Sequence, residues 1–315
     1  MIGWRKEWPQ VFGNLSFRNG NGRSPFGSAQ GRLCGDDKQE SKSKCKDKTE
    51  GGELVQTVRM ISGAQERQLM DAADMLLDAR RTCKPIMDLP VDHRPTTLEE
   101  AYFVQDRMSW AYEAIGGWKV GAPTPDATPS YAPMPAAWTS CSGCEMRGLT
   151  HRYRGLEAEI AFLLGKDLPP RETPYTREEV IAAVASCHPA IEILESGLVD
   201  PAQASKLSGV ADLALHGGFV FGDAYPDWQN LDFSKERVTI AVDGSVRADR
   251  TGSNTSGDLM RLLPWLANEG ASRTEGLKKG DWITTGSWTG FTQACGGSSV
   301  DVEFAHAGKV HLRFA

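Results

Sequence analysis

Short β-rich runs separated by glycine and proline follow one another from residue 116 onward, and they constrain the fold of this chain most strongly. The runs cover residues 118–120, 157–164, 190–194, 218–222, 238–242, 281–285 and 300–304. Helical patterns interrupt them at 175–184 and 256–268. Because strands and helices do not alternate strictly, the sequence favours an α+β fold with a rolled sheet over a doubly wound parallel sheet.

Two amphipathic helices are predicted ahead of this region. Residues 65–81 place small and apolar side chains on one helical stripe: Leu69, Ala72, Ala73, Leu76 and Leu77. Residues 96–112 begin with a threonine N-cap signal and have glutamates in the first turn. We therefore predict a helical N-terminal part over residues 60–115 and a β-rich domain over residues 116–315.

Residues 1–59 differ in composition from the rest. Gly, Ser, Asn, Lys and Arg dominate there, and residues 36–48 are highly charged. Such a stretch cannot bury enough apolar surface to offset chain entropy, so we predict a disordered leader. We hypothesise that Met60 is the natural start and that the leader is an over-extended reading frame. A basic targeting leader is the alternative, and intact-mass measurement of the protein from its native source would distinguish the two.

The charge balance of the chain limits the classes of partner that we expect it to bind. The protein has 315 residues, a hydrophobic fraction of 40%, a formal net charge of −6 and a pI near 5.6. The composition of such an acidic chain does not predict a basic surface that would bind nucleic acid or an anionic membrane. The sequence contains neither a long apolar span nor a secretory signal pattern. We expect a cytoplasmic protein that acts on small molecules.

The cysteines do not form a recognisable metal motif. Cys141 and Cys144 make a C-x-x-C pair, but His151 and Cys187 do not supply a second pair at zinc-site spacing. We therefore expect reduced thiols rather than a structural zinc or redox site.

Three glutamates stand in otherwise apolar strands. Glu157 and Glu159 share one face of the 157–164 strand because side chains alternate, and Glu192 interrupts the apolar run 190–194. Like charges repel and are costly to bury, so a cation between them would stabilise the arrangement. If the two strands are neighbours, three carboxylates meet, which suits Mg²⁺ or Mn²⁺. Glu195 or Asp200 could serve instead of Glu192. The alternative for Glu157 and Glu159 is a solvated strand end.

A lysine and a glycine-rich strand end are further candidates for the site. Lys119 lies between glycines in a short strand and could move a proton or neutralise an anion; a surface lysine is the alternative. Thr285, Gly286 and Ser287 could bind a carboxylate through hydroxyl and amide groups, although many strands end in Gly-Ser.

The histidines give a weaker signal than these groups. His151, His188 and His216 could be catalytic bases, but no carboxylate partner is visible for any of them in the sequence. We interpret all three as packed or surface residues.

Taken in order, four motifs resemble the fumarylacetoacetate hydrolase superfamily. They are Gly-Trp-Lys-Val-Gly at 117–121, Glu-Ala-Glu-Ile-Ala-Phe at 157–162, Pro-Ala-Ile-Glu-Ile at 189–193 and Leu-Lys-Lys-Gly-Asp-Trp-Ile-Thr-Thr-Gly-Ser at 277–287. The 2-keto-4-pentenoate hydratase and 4-oxalocrotonate decarboxylase branch is the most similar, because residues 97–105 match it too. The resemblance covers roughly residues 65–315.

The resemblance implies a mixed β-roll with flanking helices, a role in aromatic catabolism and assembly into homo-oligomers. It also implies Mg²⁺ or Mn²⁺ held by Glu157, Glu159 and Glu192, with Lys119 as the active-site lysine. Thr285 and Gly286 match the strand end that contacts substrate in the family.

The reaction implied is hydration of a 2-hydroxydienoic or 2-oxo-enoic acid such as 2-keto-4-pentenoate. Decarboxylation of a 2-oxo-dioic acid, hydrolysis of an acylpyruvate and a non-catalytic scaffold or metabolite-binding role are the alternatives. The sequence departs from the branch in four places. Ala122-Pro-Thr follows the lysine motif where the branch has Leu-Thr or a similar pair, and an arginine is replaced by Gly197. An Ala-Asp-Asn turn appears as Ala-Asp-Leu at 211–213, and the acidic loop expected in 123–144 contains Asp126 as its only carboxylate.

Overall fold

Two helices lead into the β-rich part of the chain in a computed structural model that describes residues 63–147, 151–270 and 275–315. Helix α1 is Gly63–Thr82 and helix α2 is Leu98–Ser109. The predicted stripe of α1 is buried except at Leu77, which is half-buried. Thr97 caps α2 by accepting a hydrogen bond from the Glu100 amide at 3.2 Å. Residues 1–59, predicted to be a leader or an over-extended start, lie outside the described residues.

The strands form two mixed sheets. The larger sheet has the order β2-β1-β10-β5-β6-β7-β3, with β11 paired to β5. Its strands are β1 (Ile115–Gly121), β2 (Ser130–Pro135), β3 (Thr139–Cys141), β5 (Gly155–Leu164), β6 (Val184–Leu194), β7 (His216–Phe221), β10 (Trp282–Thr284) and β11 (Thr292–Gln293).

The smaller sheet has the order β4-β13-β12-β8-β9. Its strands are β4 (Cys144–Met146), β8 (Arg237–Val242), β9 (Ser245–Thr251), β12 (Ser299–Phe304) and β13 (Gly308–Phe314). Short helices α3 (Arg177–Ile181), α4 (Lys206–Ala211) and α5 (Leu262–Trp265) lie between strands. This confirms the predicted α+β class with flanking helices.

The main hydrophobic core lies between the two sheets. Alternate residues of β5, such as Ile160 and Phe162, pack there with residues of the smaller sheet such as Val302 and Leu312. Ala161 lies on the opposite face of the larger sheet, in a separate cluster with Trp282. The predicted alternation of β5 is therefore confirmed, and its glutamates lie on the face that points away from the main core.

Strand β2 lies inside the stretch where the resemblance placed an acidic loop. It contains Pro133 and Pro135, which cannot donate ladder hydrogen bonds. The strand tolerates them because it is the edge strand of the larger sheet, paired with β1 alone. Asp126 precedes this strand and is exposed.

None of the helices in the described ranges is both long and apolar enough to cross a membrane.

Candidate metal centre and active site

The pairing of β5 with β6 brings the three glutamates together. Glu157 lies directly opposite Glu192 in this antiparallel pair, and Glu159 follows two residues along β5 on the same face. One carboxylate oxygen from each residue lies within 4.8 Å of the others. Within the described ranges, no other three His, Cys, Asp or Glu side chains approach one another in this way. The predicted convergence of Glu157, Glu159 and Glu192 is thus present in the structure.

The two alternative carboxylates lie outside this cluster. Glu195 accepts hydrogen bonds from the backbone amides of Tyr153 at 2.7 Å and Ser196 at 3.1 Å. Asp200 accepts one from the Ala202 amide at 2.9 Å. Both carboxylates therefore already accept hydrogen bonds from backbone amides.

Lys119 reaches the cluster from β1. Its Nζ lies 2.7 Å from Oε1 of Glu192 and donates to the carbonyl oxygen of Ala214 at 2.9 Å. Its side chain is 17% exposed, so the surface-lysine interpretation is wrong for this residue. Gly117 permits this approach of β1 to β10, because a Cβ there would lie 2.3 Å from the carbonyl oxygen of Trp282.

The end of β10 contacts the glutamates through several donors. The Thr284 hydroxyl and the Gly286 amide, the latter at 3.0 Å, both donate to Oε2 of Glu159. The Ser287 side chain hydrogen-bonds Glu157. The Thr285 hydroxyl points elsewhere and donates to the carbonyl oxygen of Ile160 at 2.7 Å. Sequence reasoning missed Thr284, although strand alternation from Thr285 would have placed its side chain on the glutamate face.

His216, which the sequence analysis interpreted as a packed or surface residue, also contacts the glutamate cluster. Its Nδ1 lies 2.9 Å from Oε1 of Glu192, and both side chains are fully buried. A carboxylate partner for His216 was not visible in the sequence, because β7 and β6 are paired with a register shift near this residue. His188 instead contacts Ser186 and the Gly222 carbonyl, and His151 packs near Phe314.

The turn before β7 has an unusual backbone. Leu213, Ala214 and Leu215 have φ angles of 51°, 46° and 66°, in the left-handed region that L-residues avoid. This conformation places the Ala214 carbonyl oxygen against Lys119.

Arg80 of helix α1 stabilises that turn. Its guanidinium lies 2.5 Å from Asp212 and donates to the backbone carbonyls of Asp212, Glu195 and His216 at 2.8–2.9 Å. Asp212 also accepts from the Gly197 amide at 2.8 Å. A buried guanidinium with this many acceptors holds the turn in a conformation that is otherwise strained.

Burial and mutual repulsion split the pKa values of the three carboxyl groups. Burial, together with the charge of Glu192, raises the pKa of Glu157 and raises that of Glu159 well above its usual value. Burial would do the same to Glu192, but Lys119 and the hydrogen bond from His216 outweigh it and lower the pKa of Glu192. Burial opposes charge on Lys119, yet the surrounding carboxylates raise its pKa. The amine is therefore protonated at neutral pH.

The cluster fits a hard divalent cation. Its ligand atoms are oxygens, which Mg²⁺ and Mn²⁺ prefer, and three carboxylates exceed the single ammonium charge beside them. Oε2 of Glu192 is buried and has no hydrogen-bond partner among the described residues. A buried, uncompensated carboxylate oxygen is costly, and a cation would compensate it.

Known proteins resemble this chain in sequence and fold. The Fumarylacetoacetate (FAA) hydrolase C-terminal family matches residues 142–315. The chain is 29% identical over 252 residues to 2-hydroxyhexa-2,4-dienoate hydratase of Comamonas testosteroni, covering 76% of this chain and 94% of that one. It is 26% identical over 237 residues to 2-keto-4-pentenoate hydratase of Paraburkholderia xenovorans, covering 70% of this chain and 85% of the relative.

A solved structure shares the fold. The 4-oxalocrotonate decarboxylase from Pseudomonas putida G7, complexed with magnesium and adipate, matches with a TM-score of 0.70 at 23% identity. The match covers 79% of this chain and 98% of the decarboxylase.

Proposed function

Because the chain belongs to the fumarylacetoacetate hydrolase family, we propose that it is a metal-dependent hydro-lyase that adds water to a 2-hydroxydienoic or 2-oxo-enoic acid such as 2-keto-4-pentenoate. The observation that carries this proposal is the convergence of three buried or half-buried glutamates beside Lys119, whose Nζ lies 2.7 Å from Oε1 of Glu192. Similarity to two hydratases over most of their length supports the reaction class.

The proposed roles follow from the geometry. Glu157, Glu159 and Glu192 would hold Mg²⁺ or Mn²⁺. The bound cation would supply positive charge that polarises the 2-oxo and carboxylate oxygens of the substrate. Lys119 would move the proton that converts the dienol to the α,β-unsaturated ketone, after which water adds at the distal carbon.

Gly286 and Ser287 at the strand end would help to bind the substrate carboxylate, whereas the buried Thr285 hydroxyl is turned toward the Ile160 carbonyl. The Gly286 amide already donates to Glu159, which places this backbone at the edge of the cluster. Ser287 is half-buried and Gly286 has a φ angle of 83°, a conformation that glycine adopts without strain. Assembly into a homo-oligomer belongs to the same proposal, and light scattering on the purified protein measures it.

A spectrophotometric assay with 2-hydroxypenta-2,4-dienoate and Mg²⁺ tests the reaction. We expect loss of the dienol absorbance with wild-type protein, and no loss after chelation of the metal or with Glu159→Gln. Glu303→Gln is the matched control, because Glu303 lies in the smaller sheet and pairs with Lys309. Measurable metal binding without turnover of this compound or of acylpyruvates would contradict the hydratase proposal and support a non-catalytic metabolite-binding role.

Decarboxylation of a 2-oxo-dioic acid is the second candidate. It is favoured by 32% identity over 155 residues to 4-oxalocrotonate decarboxylase of a Pseudomonas species, although that match spans 58% of the relative. Release of CO₂ from a 2-oxo-dioate, measured beside dienoate hydration, distinguishes the two reactions.

A further inference from the structure

We propose that His216 is a positioning residue that fixes the carboxylate of Glu192, so that one chosen oxygen of Glu192 is presented to the divalent cation. This inference rests on the proposed function, because it requires the cation site. It concerns a residue for which neither the sequence motifs nor the comparisons give a role.

The two oxygens of Glu192 have different surroundings. Oε1 lies 2.7 Å from Nζ of Lys119 and 2.9 Å from Nδ1 of His216. Oε2 is buried and, in the part of the chain that the structure describes, has no hydrogen-bond partner. Two donors on one oxygen leave the other oxygen as the free cation ligand, and they fix the rotation of the carboxylate that carries it.

The hydrogen-bonding pattern defines the tautomer of His216. A charged carboxylate only accepts hydrogen bonds, so Nδ1 must carry the hydrogen that points to Glu192. Nε2 is buried, and no group within residues 63–147, 151–270 and 275–315 forms a hydrogen bond with it. A hydrogen on Nε2 would leave an unsatisfied buried donor, so the geometry favours the neutral ring with its hydrogen on Nδ1.

A neutral donor has an advantage at this position. Lys119 also holds Oε1, but its ammonium charge would repel a cation bound to the same carboxylate. The imidazole orients Glu192 without adding positive charge. Its own orientation is fixed, since the ring stacks on Trp138 with centroids 5.8 Å apart and the His216 carbonyl accepts a hydrogen bond from Arg80.

Metal titration of three His216 variants tests the role. In His216→Asn the amide nitrogen can occupy the place of Nδ1, whereas in His216→Gln it lies nearer the place of Nε2, and His216→Leu has no donor. Isothermal titration of Mn²⁺ into metal-free protein should show roughly 10–100-fold weaker binding for His216→Leu and His216→Gln. His216→Asn should recover most of the affinity.

His188→Leu is the matched control. His188 is also buried on the larger sheet, but its ring contacts Ser186 and the Gly222 carbonyl rather than a carboxylate. Its replacement should lower stability and leave Mn²⁺ affinity unchanged. Nitrogen-15 spectra of the wild-type imidazoles give a second readout that requires no variant, and they should show His216 with hydrogen on Nδ1.

The outcomes separate this inference from the proposed function. If the wild-type protein binds no divalent cation, the proposed function fails. If it binds Mn²⁺ and His216→Leu or His216→Gln binds it equally well, the positioning role is overturned while the metal site stands. Hydrogen on Nε2 of His216 in the wild-type spectra would also overturn the positioning role.

Discussion

Glu192 is the residue on which the electrostatics of the site depend. It is fully buried, yet its pKa is lowered, because Lys119 and His216 supply more stabilisation of the charge than burial removes. Glu159, on the neighbouring strand, has hydrogen-bond donors but no salt-bridge partner among the residues that the structure describes, and its pKa is raised. The charged form of Glu192 is therefore favoured, whereas Glu157 and Glu159 bind protons more readily than ordinary glutamates do.

Substitutions of Lys119 distinguish the effect of its positive charge from its proposed role in proton transfer. Lys119→Met removes both, whereas Lys119→Arg keeps the charge but cannot release a proton at neutral pH. We expect turnover to fall by about 10²–10⁴-fold in both variants while Mg²⁺ still binds. Steady-state kinetics with a parallel metal titration measures this. Near wild-type turnover of Lys119→Arg would show that charge alone is sufficient and would contradict proton transfer by Lys119.

Binding of Mg²⁺ should weaken as the pH falls, beginning above the ordinary titration range of glutamate. The pKa values of Glu157 and Glu159 are raised by burial and by neighbouring charge, so protons compete with the cation at higher pH than usual. In the metal-free protein these groups bind more protons when folded than when unfolded. Their contribution to stability is thus favourable at low pH and is lost as the pH rises through their folded pKa values.

Two measurements check this linkage. The Mg²⁺ dissociation constant should increase between about pH 8 and about pH 5, and the melting temperature gained from Mg²⁺ should be larger at the higher pH. Glu195→Gln is the control, because Glu195 also has a pKa raised by burial but lies outside the cluster. A pH-independent dissociation constant over this range would rule out proton competition at Glu157 and Glu159.

Among the structural elements, strands with a clear apolar run were predicted, whereas β9 and β13 were missed, although alternate residues of β13 are buried in the core. Strand β5 was predicted with its faces correct, because its apolar side fills the main core. Strand β2 was missed, since its prolines are tolerated only at a sheet edge, and edge position is a property of the whole sheet. The left-handed turn at 213–215 contains no glycine, the usual sequence signal for such a conformation.

The turn at 213–215 leads to a prediction about Ala214. Ala214→Gly should raise the free energy of unfolding by up to about 1 kcal/mol, because glycine adopts a positive φ angle without the steric penalty of a Cβ. The carbonyl that accepts from Lys119 is retained, so Mg²⁺ affinity should not change. Urea denaturation and metal titration measure the two effects.

Ala214→Pro is the opposing variant. Proline fixes φ near −65° and cannot adopt the observed value of 46°. We expect it to destabilise the protein by about 3 kcal/mol or more and to weaken Mg²⁺ binding. If glycine destabilises the turn as much as proline does, the left-handed conformation is not the one populated in solution.

In the molecule as a whole, the site joins segments that are far apart in the chain. Glu192 was predictable because a charge in an apolar strand requires a partner. The assignment of Glu157, Glu159 and Lys119 to the same site depended on the resemblance to a known family. The contact of His216 with Glu192 was not predictable, since it depends on a register shift between β6 and β7. The contact between Arg80 of α1 and Asp212 could not be predicted from the sequence either. Arg80 lies among ordinary basic residues at a helix end, and its partner Asp212 is 132 positions away.

The Arg80–Asp212 pair should therefore matter for both stability and the metal site. Arg80→Met leaves Asp212 buried without its charge partner and frees the backbone carbonyls of the 212–216 segment. Loss of one member of a buried pair costs about 3–5 kcal/mol. We expect a loss of unfolding free energy of that size, measured by urea denaturation.

The adjacent Arg81 provides the control for this effect. Arg81 pairs with Asp78 at 2.5 Å, but both side chains are more than half exposed, so Arg81→Met should change stability by about 1 kcal/mol or less. Arg80→Met should also weaken Mn²⁺ binding, because Arg80 holds the backbone of His216 and the turn that contacts Lys119, whereas Arg81→Met should not. Equal effects of the two substitutions on stability would show that the buried Arg80–Asp212 pair does not secure α1 to the sheet. Unchanged Mn²⁺ affinity in a folded Arg80→Met protein would show that the metal site does not depend on the contacts of Arg80.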